Sequence, residues 1–357
     1  MKRFLLVTLQ DNCNIGNRLQ NYALQRVIEQ HGGMVTNLDN GYTPTLSLKE
    51  DIKNTIKRYL VSIGCEKYKE AVNKQYRRQA IEEFTNKYIS NIKHITYEDA
   101  FEENWNAYNL AIVGSDQVWH RWRENSKELP YYYLEFLPNE KRVSYAASFG
   151  FEKFPPSDRE EHIKGLLEMR EISCREQSGC VLVEAETGRT ALQVLDPTLL
   201  LNSTDWRSVE GDISRIIKSG ERFAFIYFLG DITEEYRDFI DSIAKKRRIR
   251  IIDFMDMQNR KIAHCGVGEF IRFIDHADYV FTDSFHCTVF SVIFNKKFTV
   301  FRRKGEGFEK MFSRIEDLLS STGKLDCIYG GSLSTSTNDF VKLREASMRY
   351  LDQVLSL

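Results

Sequence analysis

DYVFTDSFHCTVFSVIFNKKFTVFR, residues 278–302, reads as a strand over 278–283, a helix over 284–295 with a mostly apolar body, and a second strand over 297–302. The same rhythm runs outward from it in both directions. RFAFIYFLG (222–230) and IRIIDF (249–254) are predicted strands, and TEEYRDFIDSIAKKR (233–247) and GEFIRFIDHA (268–277) predicted helices. Helices over 308–321 and 338–355 follow. Upstream, FLLVTL (4–9) and MVTNLD (34–39) are strands around a helix over residues 18–31, whose Leu19, Tyr22, Ala23 and Val27 recur at helical spacing and which Gly32-Gly33 ends. Sheet character returns at NLAIVGSD (109–116), KRVSYAASFG (141–150) and EISCRE (171–176), with a helix at EEHIKGLLEM (160–169), and ALQVLDPTLLL (191–201) closes this half. Strands alternating with helices predict parallel sheets with right-handed crossovers. Two such sets, joined near residues 202–220, predict an α/β protein of two doubly wound domains, 1–203 and 204–357. In such sheets ligands sit beyond the carboxyl ends of the strands, so the loops after strands are where chemistry is expected.

The 357 residues suffice for two domains, and 42% hydrophobic against 28% charged residues suffices for a real core. A net charge of −1 gives no reason to expect a nucleic acid partner. The opening MKRFLLVTLQDN has basic residues before an apolar run, but the run is too short for a signal peptide and leads into a polar loop, so a buried first strand is expected. No stretch approaches the ~20 apolar residues of a membrane span. The seven cysteines (13, 65, 174, 180, 265, 287, 327) are odd in number with no C-x-x-C pair, which predicts reduced thiols in a cytoplasmic protein.

Residues 47–93 differ from their surroundings. Eleven Lys and Arg against six acids give a local charge of +5. The segment is expected to form helices inserted into the first domain. A solvated face is the preferred reading of its charge, and contact with an anionic membrane surface is the alternative. Ile56, Tyr59, Leu60, Tyr68, Tyr76 and Phe84 interleave the charges, and some of these must pack on the main body.

Four loops after strands carry chemistry. In residues 12–17, with Asn14, Gly16 and Asn17, the glycine permits a tight turn and the following helix offers free N–H groups to an anion; a plain capping loop is the other reading. Gly114-Ser115-Asp116-Gln117-Val118-Trp119 joins groups that bond hydroxyls to a ring that can stack on a sugar, or else is a capped turn with a core Trp. In Ser173-Cys174-Arg175-Glu176, Arg175 is either a carboxylate or phosphate clamp or half of a surface ion pair. The fourth loop places Thr282, Asp283, Ser284 and His286 where a buried strand turns into a helix. Thr282 and Asp283 can cap that helix, and in its first turn the dipole favours a neutral imidazole. His264-Cys265 and His286-Cys287 match no common structural-zinc spacing, and no metal is expected.

GNRLQNYALQ (16–25), IVGSDQVWH (112–120), SYAASFG (144–150), ISCRE (172–176), VLDPTLLL (194–201), VFTDSFHCTVFS (280–291) and FSRIEDLL (312–319), in this order, resemble the polysaccharide pyruvyl transferase family. The resemblance implies two Rossmann-like domains facing across a cleft, a GT-B-like fold, with the acceptor on the N-terminal side and the donor on the C-terminal side. It implies that phosphoenolpyruvate, as co-substrate and without a further cofactor, donates pyruvate to two hydroxyls of one sugar, forming a cyclic ketal and releasing phosphate. The acceptor would be a glycan or a lipid-linked saccharide. Family members carry Arg-x-His where this chain has Ser284-Phe285-His286, so the histidine carries over and the donor-holding arginine does not. Arg175 carries over as a donor ligand, and Arg302, Arg303 and Lys304, beyond a later strand, are candidates to replace the missing charge, or else form a solvated basic cluster.

On this reading His286 shuttles protons with Asp283 as its orienting partner, and Arg175, Ser284, Thr282, Arg302 and Arg303 hold the donor. Asn14, Gly16, Asn17, Gln20, Ser115, Asp116, Gln117 and Trp119 meet the acceptor. A GT-B glycosyltransferase using a nucleotide-sugar and a non-catalytic glycan-binding protein on the same scaffold are the rival readings.

Overall fold

The computed structural model describes residues 1–10, 14–40, 48–304, 309–331 and 340–357. Residues 12 and 13 of the first loop, residue 47 of the basic segment, and residues 308, 338 and 339 of the expected helices lie outside them. Five strands, β1 (Arg3–Val7), β2 (Met34–Asp39), β3 (Ile92–His94), β4 (Leu110–Val113) and β5 (Arg142–Ser144), form one sheet in the order β3-β2-β1-β4-β5. Single parallel bridges, Val143 to Glu171 and Ala147 to Cys174, carry it towards β6 (Ser173–Cys174), which pairs with β7 (Leu192–Gln193). A second sheet holds β8 (Phe223–Tyr227), β9 (Arg250–Asp253), β10 (Tyr279–Thr282) and β11 (Phe298–Val300), in the order β11-β10-β8-β9. Every registered pair in these sheets is parallel.

The strand sequences explain the layers. Phe4–Val7, all of β4 and all of β8 are buried, as unbroken apolar runs must be in a sheet covered on both faces. The chain is therefore α/β, with two Rossmann-like sheets whose carboxyl edges face one cleft, a GT-B-like fold. A continuous apolar core joins the halves. Trp206, in the connection between them, lies 5.5 Å from the ring of Tyr22 and 4.7 Å from that of Phe290.

Two boundaries differ from expectation. The basic segment forms the helices Leu48–Ser62 and Lys69–Tyr88 and then enters the sheet as β3, so it is the enlarged crossover between parallel β2 and β3. Its second helix bridges to the other half. Asn73 Nδ2 donates to Met257 O (2.8 Å), and Arg77 Nη2 donates to Phe254 O (3.0 Å) and Ile262 O (2.7 Å). The last helix, Phe340–Ser356, belongs by sequence to 204–357 but packs on the first half. Tyr350 Oη donates to Ser144 O (2.8 Å), Ser347 Oγ accepts from Leu195 N (2.8 Å), and Arg344 Nη2 donates to Leu200 O (2.7 Å). A helical pattern announces an apolar face, not the sheet that it will cover. Among the described residues no helix is long and apolar enough to cross a membrane.

Candidate functional site

A cavity of about 350 Å³ opens between the carboxyl edges of the two sheets. Of the expected residues, Asn14, Gly16, Asn17, Asp116, Gln117, Ser284, His286 and Arg303 line it. The helices Ile15–Gln30 and Phe285–Ile293 both begin at its wall. Asn14 Oδ1 accepts from Gly16 N (2.9 Å) to cap the first, and Ser284 Oγ accepts from Cys287 N (3.5 Å) to cap the second.

His286, in the first turn of the second helix, leans on the start of the first. A Cβ at Gly16 would come within 2.3 Å of His286 Nδ1, so the glycine serves close approach of the imidazole rather than a turn. His286 Nε2 is 3.9 Å from Asp196 Oδ2 and has no hydrogen-bond partner among the described residues. Burial lowers the His286 pKa. Asp196 and Asp116 pull it up, while Arg175 and Arg314 add to the lowering. With its pKa below the ordinary value, the imidazole favours the neutral form at pH 7 and can accept a proton.

The carboxylate facing His286 is thus Asp196, not Asp283. Asp283 Oδ1 accepts from Leu229 N (2.7 Å), and Oδ2 accepts from Gly230 N (2.8 Å) and Arg303 Nε (2.9 Å). It pins the loop after β8 and aims Arg303. Asp196 Oδ1 accepts from Thr198 N (3.0 Å) and Thr198 Oγ1 (2.6 Å), and Oδ2 accepts from Ser115 Oγ (3.0 Å) and Arg175 Nη1 (3.1 Å). Burial pushes the Asp196 carboxyl up, but His286 in its protonated form, Arg175 and the Thr198 bonds outweigh it and hold it below the usual carboxylate range. The sequence marked Asp196 only as part of VLDPTLLL, with no role.

Arg175 is buried, with 4% of its side chain exposed, and does not line the cavity. Neither the donor clamp nor the surface pair describes it. Burial works against its charge, yet Glu176 (2.9 Å), Asp116 (3.6 Å) and Asp196 (3.1 Å) together keep its pKa raised. It holds Glu176 and Asp196 in place behind the cavity and Asp116 at its wall. Ser115 and Gln20 belong to the same support: Gln20 Oε1 accepts from Ser115 N (3.0 Å), its Nε2 donates to Asn17 O (3.0 Å) and Thr8 Oγ1, and both residues are fully buried. Thr282 is also buried, donating to Tyr227 O (2.6 Å) and accepting from Ser284 N (3.0 Å). Arg302 turns outward to Glu316 (2.5 Å) and the Phe312 ring (4.2 Å), and Lys304 pairs with Glu235 (3.3 Å). Only Arg303 of that basic run reaches the cavity.

Trp119 is a core residue, stacked on Tyr133 at 5.3 Å and tilted against Phe149 at 4.8 Å. The indole at the cavity is Trp122, 48% exposed, with Nε1 donating to Gln117 O (3.1 Å). Other lining residues escaped the sequence reading. Arg314, on the helix Glu309–Ser321, lines the cavity with Arg303, and Phe285 lies 6.0 Å from the Arg314 guanidinium and 4.9 Å from that of Arg175. Arg314 stands in FSRIEDLL, which the sequence marked only as part of the family resemblance, with no role. Gln10 also lines the cavity; its Nε2 and Asn17 Oδ1 are buried without a partner among the described residues.

The His-Cys pairs are apart from any ion site among the described residues. The only His, Cys and carboxylate group there that could share an ion is Glu210, Asp275 and His276, where Arg272 and Arg207 already pair with the acids.

The site is an α/β cleft between two parallel sheets, with a helix N-terminus in each wall, the cations Arg303 and Arg314 on one side, and amide and indole groups on the other. The chain belongs to the polysaccharide pyruvyl transferase family, whose pattern matches residues 14–305. No curated protein matches the sequence closely enough to count as a relative. Among solved structures it is similar to an alpha-glucosyltransferase in complex with UDP and a 13-mer DNA (10% identity, 99% of each chain, TM-score 0.47). It is similar also to a UDP-GlcNAc 2-epimerase of Methanocaldococcus jannaschii (11%, 99% of this chain and 100% of that one, 0.45) and to a UDP-N-acetylglucosamine 2-epimerase of Rickettsia bellii (10%, 100% and 96%, 0.44).

Proposed function

We propose that this chain transfers pyruvate from phosphoenolpyruvate onto two hydroxyls of one sugar in a polysaccharide or its precursor, forming a cyclic ketal and releasing phosphate. The observation that carries the reading is His286, faced by Asp196, in one cavity with Arg303, Arg314 and the N-terminus of the helix Phe285–Ile293. Phosphoenolpyruvate carries a phosphate and a carboxylate, and two guanidiniums with a helix N-terminus suit both. Arg314 and Arg303 would then supply the charge that Ser284 lacks. The first sugar hydroxyl attacks the donor's central carbon and passes its proton to His286, and the methylene carbon takes up a proton from the imidazolium to become a methyl group. The carbon–oxygen bond to phosphate breaks, and the second hydroxyl closes the ketal, its proton passing through His286 to the departing phosphate. His286 is the group placed to move these protons, a role worth ~10²–10⁴-fold in rate. Trp122, Gln117, Asp116, Asn17 and Gln10 would receive the acceptor, a glycan or a lipid-linked saccharide, on the cytoplasmic side of a membrane.

Phosphate release from phosphoenolpyruvate with a panel of soluble glycan acceptors tests the reading. Turnover is expected with a glycan bearing two neighbouring free hydroxyls, and consumption of a nucleotide-sugar instead would replace this function with glycosyl transfer. The scheme uses no metal ion or cofactor. Activity lost on dialysis against a strong chelator and restored by zinc would contradict it.

A further inference from the structure

The helix Leu48–Ser62 turns apolar side chains outward. Ile52, Ile56, Tyr59 and Ile63, one residue past its end, are 61%, 53%, 65% and 63% exposed. Their spacing of four, three and four residues aligns them in one stripe along the helix. No other isoleucine is exposed among the described residues, so this is a concentration and not scatter. Lys53 and Lys57 each follow a stripe isoleucine by one position, which sets them about 100° round the helix, along the flank of the stripe. Lys53 is exposed and Lys57 half-exposed. The neighbouring helix Lys69–Tyr88 shares the segment's composition but not this fate: Phe84 is buried, Tyr76 lies 4.0 Å from His264, and Arg77 is bonded into the second half.

We infer that the helix Leu48–Ser62 docks flat on an anionic lipid bilayer, with Ile52, Ile56, Tyr59 and Ile63 entering the interface and Lys53 and Lys57 meeting the headgroups. An apolar stripe with a basic flank on an exposed helix is the pattern of an interfacial helix. Lysines flanking the stripe complement negative lipid, whereas two copies packed stripe to stripe would bring these lysines together. Topology agrees. The helix follows β2, whose carboxyl end shares the sheet edge with Val7 and Val113, the edge from which the loops reach the cavity. Docking there would bring the cleft to a saccharide carried on lipid. That purpose rests on the proposed function, but the binding itself does not.

The test is cosedimentation of the full chain with vesicles of phosphatidylcholine alone and of phosphatidylcholine mixed with phosphatidylglycerol, at low and high salt, without substrate. Binding is expected to the mixed vesicles, falling as salt rises. Ile52→Asp with Ile56→Asp, and separately Lys53→Glu with Lys57→Glu, should each weaken it by about tenfold or more, with circular dichroism, thermal midpoint and turnover on a soluble acceptor unchanged. No cosedimentation, equal binding to neutral vesicles, or variants that bind like the wild type would overturn the inference. So would a lipid-free dimer that the isoleucine variant converts to monomer, which would make a second copy the occupant. Phosphate release on soluble acceptors reports separately on the proposed function.

Discussion

His286 is placed by three neighbours: Gly16 gives it room, Asp196 faces its Nε2, and Ser284 caps the helix that carries it. His286→Asn is expected to lower kcat by about 10²-fold or more with the fold intact. Because burial lowers the imidazole pKa, kcat/KM should fall on the acid side with an apparent pKa below about 6.5, as the neutral form is lost. Asp196→Asn removes a carboxylate that raises this pKa, so the acid limb should move to lower pH as kcat drops. Arg314→Gln removes a cation that lowers it, and the limb should move to higher pH. A limb unmoved in both variants would assign the titration to another group. Gly16→Ala is a separate test of placement. Its Cβ would displace the ring, and kcat is expected to fall by about 10²-fold, the scale of a misplacement near 1 Å. Unchanged kcat would mean that the ring has room to move without loss.

At the scale of elements, the helices of the basic crossover divide the work. The helix Leu48–Ser62 faces outward, while Lys69–Tyr88 ties the first half to the second through Arg77. That guanidinium donates to two carbonyls and lies 4.0 Å over the Phe254 ring, and burial pushes its pKa down to about 10. Arg77→Met keeps bulk but leaves both carbonyls without their donor. A loss of about 2–4 kcal/mol in urea unfolding is expected, with kcat near wild type at temperatures where the variant is folded. Wild-type stability would show that solvent replaces the arginine at no cost.

For the whole molecule, the notable connection is the return of the helix Phe340–Ser356 to the first sheet. Tyr350, Leu351 and Val354 are buried there. At roughly 1.5–3 kcal/mol for each large apolar side chain, their burial is comparable to the ~5–15 kcal/mol net stability of a typical protein. A chain ending before residue 340 is therefore expected to aggregate or to lose its cooperative thermal transition, read by circular dichroism and size exclusion. A folded, monomeric truncated chain would show the helix to be dispensable. The two halves share this helix, the Arg77 bridge and the Trp206 core, so unfolding is expected to involve both together.

Periodicity alone determined most of the elements: the apolar runs at 4–7, 110–113 and 223–227 become strands buried on both faces, and the loops after them became the cavity wall. His286, Ser284, Asp116 and Gln117 were legible as lining residues for that reason, since the carboxyl end of a parallel strand is where a doubly wound sheet opens, whereas nothing in the run 302–304 singled out Arg303. Partnership was not legible. Asp283 is three residues from His286 yet bonds the loop after β8, while Asp196 is ninety residues away and faces the imidazole. Arg175 looked like a clamp because strand ends face clefts, but three carboxylates from separate loops converge on it and bury it. Trp119 and Trp122 share one loop, and only its path through space sends the first to the core and the second to the cavity. Local sequence sets which backbone state each segment prefers, because those energies are summed over near neighbours. Which charges meet, and which side chains lose water, depends on distances that exist only after the chain has closed on itself.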